Sequence, residues 1–173
     1  MNDVRSSAFH QAGHAVMSWL SKMEVRPLSI TARGKPVSCI ILPSVKPTGD
    51  VAIDQLFGWK EEREAAVRII LAGVMAQDIA TSARRSDFET EHDFQKARKL
   101  VAEISGTYSE LIAYLQLLCV QTHDLLGTNW ARVDAVATAL LARKNLGAGE
   151  AAAIILAVQP GAGPGTPKHD LLD

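Results

Sequence analysis

His10 and His14, in the stretch AFHQAGHAV, stand four residues apart, and on a helix that spacing puts both imidazoles on one face, where they can share a metal ion. In the metallopeptidase motif H-E-x-x-H, the position after the first histidine holds a glutamate that acts as general base. Here it holds Gln11, an amide that takes up no proton at any accessible pH. The pattern thus offers two ligands of a hydrolytic zinc site and withholds its base. A plainer reading stands beside it: two polar residues on a helix face, one of them bonded to a backbone carbonyl. Ala12 and Gly13 are small enough for a neighbouring element to approach closely, Phe9, Val16 and Leu20 offer apolar anchors, and no charge interrupts residues 8–20. A buried helix carrying two histidines needs something to satisfy them.

A catalytic zinc site takes three protein ligands and keeps one position open. Asp54, Asp78, Asp87, Glu89, Glu91, His92, Asp93, His123 and Asp124 are all candidates for the third, and spacing alone does not choose among them. The elements that must position these groups read as mainly helical. Ser6 or Ser7 is placed to cap a first helix running to about Lys22, ahead of Arg26-Pro27. PLSITA and VSCIILP, on either side of the turn Arg33-Gly34-Lys35-Pro36, predict a short β-ribbon after that helix. Pro43 to Gly58 is loop-like in composition. A helix follows from Trp59 to about Ala83, with Glu61 and Glu62 in its first turn, and then a charged break over 82–90. The next helix starts at about Glu91, presents Phe94, Ala97, Leu100, Val101 and Ile104 on one side, and stops near Gly106. Further helices are expected over Ser109 to Leu126, Asn129 to Lys144 and Gly149 to Val158. Glycine and proline dominate residues 159–173, which read as a flexible tail behind one domain spanning 1–158.

Composition narrows the function classes. A chain of 173 residues, 47% of them hydrophobic, can bury one ample core. A net charge of -1 gives no electrostatic case for nucleic acid or an anionic membrane as partner. The longest apolar run, Leu111 to Val120, falls well short of the roughly 18 residues that span a bilayer. MNDVRSS does not read as a secretory leader, and Cys39 and Cys119, in apolar surroundings without metal-ligand spacing, read as free core thiols of a reducing compartment. The expectation is a soluble, cytoplasmic protein.

Four stretches, AFHQAGHAV, LSITARG, ILAGVMAQDIA and ETEHDFQKARKLV, occur in the order of the landmarks of one known family. They resemble the H-E-A-G-H-A helix, the strand ending in Arg-Gly, the L-G-G-R-A-A-E-E helix and the G-A-x-x-D helix start of the FtsH peptidase domain, part of a family of ATP-dependent, membrane-anchored zinc proteases. LLGTNWARVDAVATALLARKNLGAGE is similar to that domain's C-terminal helices, so the resemblance covers about residues 5–157. It implies an FtsH-peptidase-like helical fold with a small sheet after the first helix. It also implies a Zn2+ ion held by His10, His14 and Asp93, and a peptide or unfolded protein as substrate, bound beside a sheet edge.

The departures from the family pattern bear on activity. Gln11 stands where the family has its general base, and Met75-Ala76-Gln77-Asp78 replaces Ala-Ala-Glu-Glu, so a second family glutamate is also an amide. Ala97-Arg98 replaces an Ala-Thr pair, and no phosphate-cradling G-x-x-x-x-G-K-[ST] loop occurs. Gln11 fits either an engineered trap of the uncut state or a natural pseudopeptidase. A monomer or weak dimer is expected without the motor, and the sequence leaves open whether a separate ATPase delivers substrate. Three readings follow: an FtsH-like zinc peptidase impaired at Gln11, a non-catalytic relative that binds peptides or proteins in the same groove, and a helical interaction module without metal.

Overall fold

In a computed structural model of the chain, residues 2–30, 58–81 and 92–161 are described, and they are mainly helical. Six helices, α1 (Asn2–Leu20), α2 (Trp59–Thr81), α3 (His92–Glu103), α4 (Tyr108–Thr128), α5 (Trp130–Arg143) and α6 (Ala148–Ala157), are joined by one small antiparallel sheet of β1 (Leu28–Ser29) and β2 (Asn145–Leu146). Leu28 pairs with Leu146 and Ser29 with Asn145, and the Ser29 hydroxyl donates to Asn145 Oδ1 at 2.7 Å. The strand expected in PLSITA therefore pairs with a segment far along the chain. The turn at Arg33 to Pro36, the VSCIILP strand, the loop before Gly58 and the charged break over 82–90 lie outside the described residues.

α2 organises the interior because its middle, from Ala65 to Ala76, is buried on nearly every side, the mark of a central helix. Ile69, Ala72 and Ala76 join a core built from α1, α5, α6 and the strands, where Phe9, Val16, Met17, Val136, Leu140 and Ile155 are buried. Ala66, Val67, Ile70 and Leu71 face a second core with Ala97, Val101, Leu115 and Leu118 of α3 and α4. The Phe9 and Trp130 rings stack with centroids 5.7 Å apart, tying α1 to α5. Small residues set the approach of α1 to α2: a Cβ added at Gly13 would overlap the Ala72 carbonyl and lie 2.7 Å from Ala76 Cβ.

The helix boundaries follow local chemistry. Thr107 caps α4 by accepting from the Glu110 amide at 3.2 Å, while the Glu110 carboxylate accepts from the amide of Gly106, the residue before the cap, at 2.7 Å. α1 differs from expectation: it begins at Asn2, so Ser6 and Ser7 lie inside it, and Ser7 is buried. Burial of Ser7, Ala8 and Phe9, with Val4 packed on the core one turn earlier, overrides the serine start signal. Cys119 is free but only half-buried, which corrects the expectation of a core thiol, and Cys39 lies outside the described residues. No described helix is long and apolar enough to cross a membrane. Gly161 lies beside Asn129 in a single bridge, and the rest of the C-terminal stretch is outside the described residues.

Candidate metal centre

Three helices converge on one point. α1 supplies His10 and His14 from adjacent turns, α2 forms the wall behind them, and α3 brings Asp93 in its first turn. A carboxylate there is favoured by the positive end of the helix dipole. His10 Nε2 lies 2.9 Å from His14 Nε2 and 3.2 Å from Asp93 Oδ2, and His14 Nε2 lies 3.8 Å from the same oxygen. The two imidazoles meet edge to face, with centroids 4.5 Å apart.

The proton inventory of this triangle decides what it can hold. His14 Nδ1 is 2.7 Å from the Ile69 carbonyl, which only accepts, so the hydrogen of the neutral ring sits on Nδ1 and Nε2 presents a lone pair. Burial, reinforced by neighbouring His10, lowers the His14 pKa to about 3, so the ring is neutral near pH 7. Burial pushes the Asp93 carboxyl up, but the hydrogen bond from His10, the two histidines and Lys96 together outweigh it and hold the group well below the usual carboxylate range. Asp93 is therefore ionised. Lys96 Nζ takes the other carboxylate oxygen at 3.2 Å, leaving Oδ2 for the histidines. Three electron-rich atoms thus share at most the single hydrogen on His10 Nε2.

That arrangement fits a divalent cation. Zinc bound tetrahedrally by nitrogen and oxygen sets its ligand atoms roughly 3.3 Å apart, and edges of 2.9, 3.2 and 3.8 Å bracket that spacing. A neutral imidazole held by Nδ1–H to a backbone carbonyl, with Nε2 free to ligate, is the usual outer support of a zinc histidine. Metal at His10 would require its Nε2 to be free of hydrogen, with any hydrogen of the neutral ring carried on Nδ1.

Among the described residues, His10, His14 and Asp93 form the one group of three or more potential metal-ligating side chains. His92, next to Asp93, is exposed, and His123, partly exposed, lies 3.6 Å from the exposed Asp124 on α4. Asp78 stands apart from the cluster, and Asp54, Asp87, Glu89 and Glu91 lie outside the described residues. Gln11 is wholly buried, one residue beyond His10. Sequence reasoning missed the Ile69 carbonyl, Lys96 and Gly73. Only Gly73 left a signal, as a glycine inside the helical run ILAGVMAQDIA. Comparison of the chain with protein-family profiles and with characterised proteins gives no match.

Proposed function

We propose that the chain is a zinc-dependent metallopeptidase-like domain of the FtsH type, in which His10, His14 and Asp93 hold the ion and Gln11 limits turnover. The observation that carries this reading is the convergence of three ligand atoms around a neutral, tautomer-fixed His14. The motif order from AFHQAGHAV to ETEHDFQKARKLV supports the family, and the helical architecture agrees with it. When bound, zinc supplies Lewis-acid polarisation of a peptide carbonyl and lowers the pKa of a water molecule.

The chain's own residues do the rest. Ile69 orients the His14 ring, Lys96 turns Asp93 so that one oxygen faces the histidines, and Asp93 offsets part of the positive charge of the ion. Gln11 can donate or accept a hydrogen bond to orient a water or a peptide group. It does not take the proton that hydrolysis must remove, and losing a positioned general base costs roughly 10²- to 10⁴-fold in rate. Gln11 also supports a second reading, a catalytically inactive pseudopeptidase that binds peptides or proteins. A glutamate in this wholly buried position would have its pKa raised by desolvation, which suits a base working near neutrality.

Gln11→Glu, zinc-loaded and incubated with an unfolded polypeptide, separates the two. The peptidase reading expects cleavage at least about a hundredfold faster than in the unsubstituted protein. A folded, zinc-loaded variant that cleaves nothing would leave the binding-module reading.

A further inference from the structure

We propose that Gly73 is the positioning residue of the histidine pair: its missing side chain leaves the notch in α2 into which both Nε2 atoms project. A Cβ built at this position would overlap Cε1 and Nε2 of His14 and lie 2.9 Å from His10 Nε2. The obstruction falls on the ligand atoms themselves, not on the outer edge of the rings.

The backbone of α2 does two opposite things one turn apart. Ile69 offers the carbonyl that takes the His14 Nδ1–H at 2.7 Å and fixes the ring from one side. Gly73, four residues on and on the same face, removes the atom that would block the far side of that ring. A side chain at 73 therefore sets the Ile69 bond against ring clearance: the imidazole either stays bonded and clashes, or swings away and takes Nε2 out of the triangle. Neither exit is easy, because His14 is 4% exposed and is packed within the α1 and α2 contact.

Gly13 is a different case. Its Cβ would meet the Ala72 carbonyl and Ala76 Cβ, so it serves the approach of the two helices. Gly73 has helical backbone geometry that any residue adopts, and in a helix interior glycine is less favourable than alanine. The three atoms nearest a Cβ at this position all belong to the two rings, which accounts for a glycine where alanine would suit the backbone better. The effect on metal rests on the zinc reading above, whereas the effect on the rings does not.

The test is Gly73→Ala, read in two ways. In metal-free protein, thermal unfolding is compared across the unsubstituted chain, Gly73→Ala, His14→Ala and the double variant. The proposal expects Gly73→Ala to lower the midpoint and His14→Ala to recover it when combined, because the atoms that clash are gone. Should the single variant fail to fold, folding of the double variant gives the same answer. Additive losses, or failure of both to fold, would overturn the proposal and make Gly73 a helix-packing residue like Gly13.

In the second reading, zinc competition and the visible bands of bound Co2+ are measured on the same proteins. Gly73→Ala is expected to weaken zinc binding by about 10- to 100-fold, the scale of an outer-shell defect, and to change the cobalt spectrum. Unchanged affinity with an unchanged spectrum would also overturn it. If the unsubstituted protein binds neither ion, the zinc reading fails, while coupling in the metal-free cycle still sustains the role of Gly73 at the rings.

Discussion

Two polar clusters meet along α2, and they are built on opposite accounts of donors and acceptors. Toward its N-terminal half, Arg63 Nε donates to Glu103 at 2.9 Å and stacks over Trp59, Arg68 reaches Glu64 and Gln121 at 3.5 Å, and the Tyr114 hydroxyl donates to Glu64. Burial and the Glu64 hydrogen bond push the Tyr114 hydroxyl above the usual phenol range, so it keeps the proton it donates. There each acceptor meets a cation or an O–H. Toward the C-terminal half, His10, His14 and Asp93 bring three potential ligand atoms together that share at most one hydrogen. A set of matched charges closes on itself and holds helices together, while an excess of lone pairs at one point is chemistry waiting for a cation.

Acid should separate the two most strongly. The pKa of His14 in the folded protein, about 3, lies below its unfolded value near 6.5, so the unfolded chain binds more protons between those values. Its contribution is full above the unfolded pKa and is lost as pH falls from about 6.5 toward 3, and Asp93, also held low, acts in the same direction at the acid end. The metal-free protein should lose up to about 5 kcal/mol across this window, and His14→Ala should flatten the slope. Denaturant unfolding at several pH values checks it, and an equal slope in the variant would place the acid sensitivity elsewhere.

Zinc should act on one cluster alone. At a free concentration a hundred times its dissociation constant, it should stabilise the protein by roughly 2.7 kcal/mol. His10→Ala should abolish that gain, which a thermal shift series with and without chelator would read. The matched cluster is worth less per contact. Tyr114→Phe should cost about 1 kcal/mol, the net value of one hydrogen bond, and leave zinc binding intact. Arg68→Ala should cost less than about 1 kcal/mol, as its contacts are long and partly exposed. Loss of zinc affinity in either of these last two variants would blur the division between the clusters.

Much of the helical layout was legible because periodic apolar positions and caps are local signals. Trp59–Thr81 and Trp130–Arg143 fall within two residues of where the pattern places them. The histidine pair was legible for the same reason, since i and i+4 share a helix face in any helix. The start of α1 differs from the serine signal because serine reads as a cap only if the chain before it is not packed, and here Val4, ahead of both serines, lies against the core. Asp93 was one carboxylate among several until the family resemblance singled it out, because its approach to α1 depends on how α3 docks on α2. The pairing of β1 with β2 and the Ile69 support were equally out of reach, being contacts between residues more than fifty positions apart. Gly73 shows the remaining gap: its type is plain in the sequence, but what its missing side chain makes room for is visible only once two helices are in contact.

The most direct test is the metal content of protein purified without added zinc, measured beside Asp93→Ala. The account predicts about one zinc per chain, as expected for a single three-ligand site, and its loss in the variant. No metal even after zinc is supplied, or metal retained when Asp93 is removed, would contradict it.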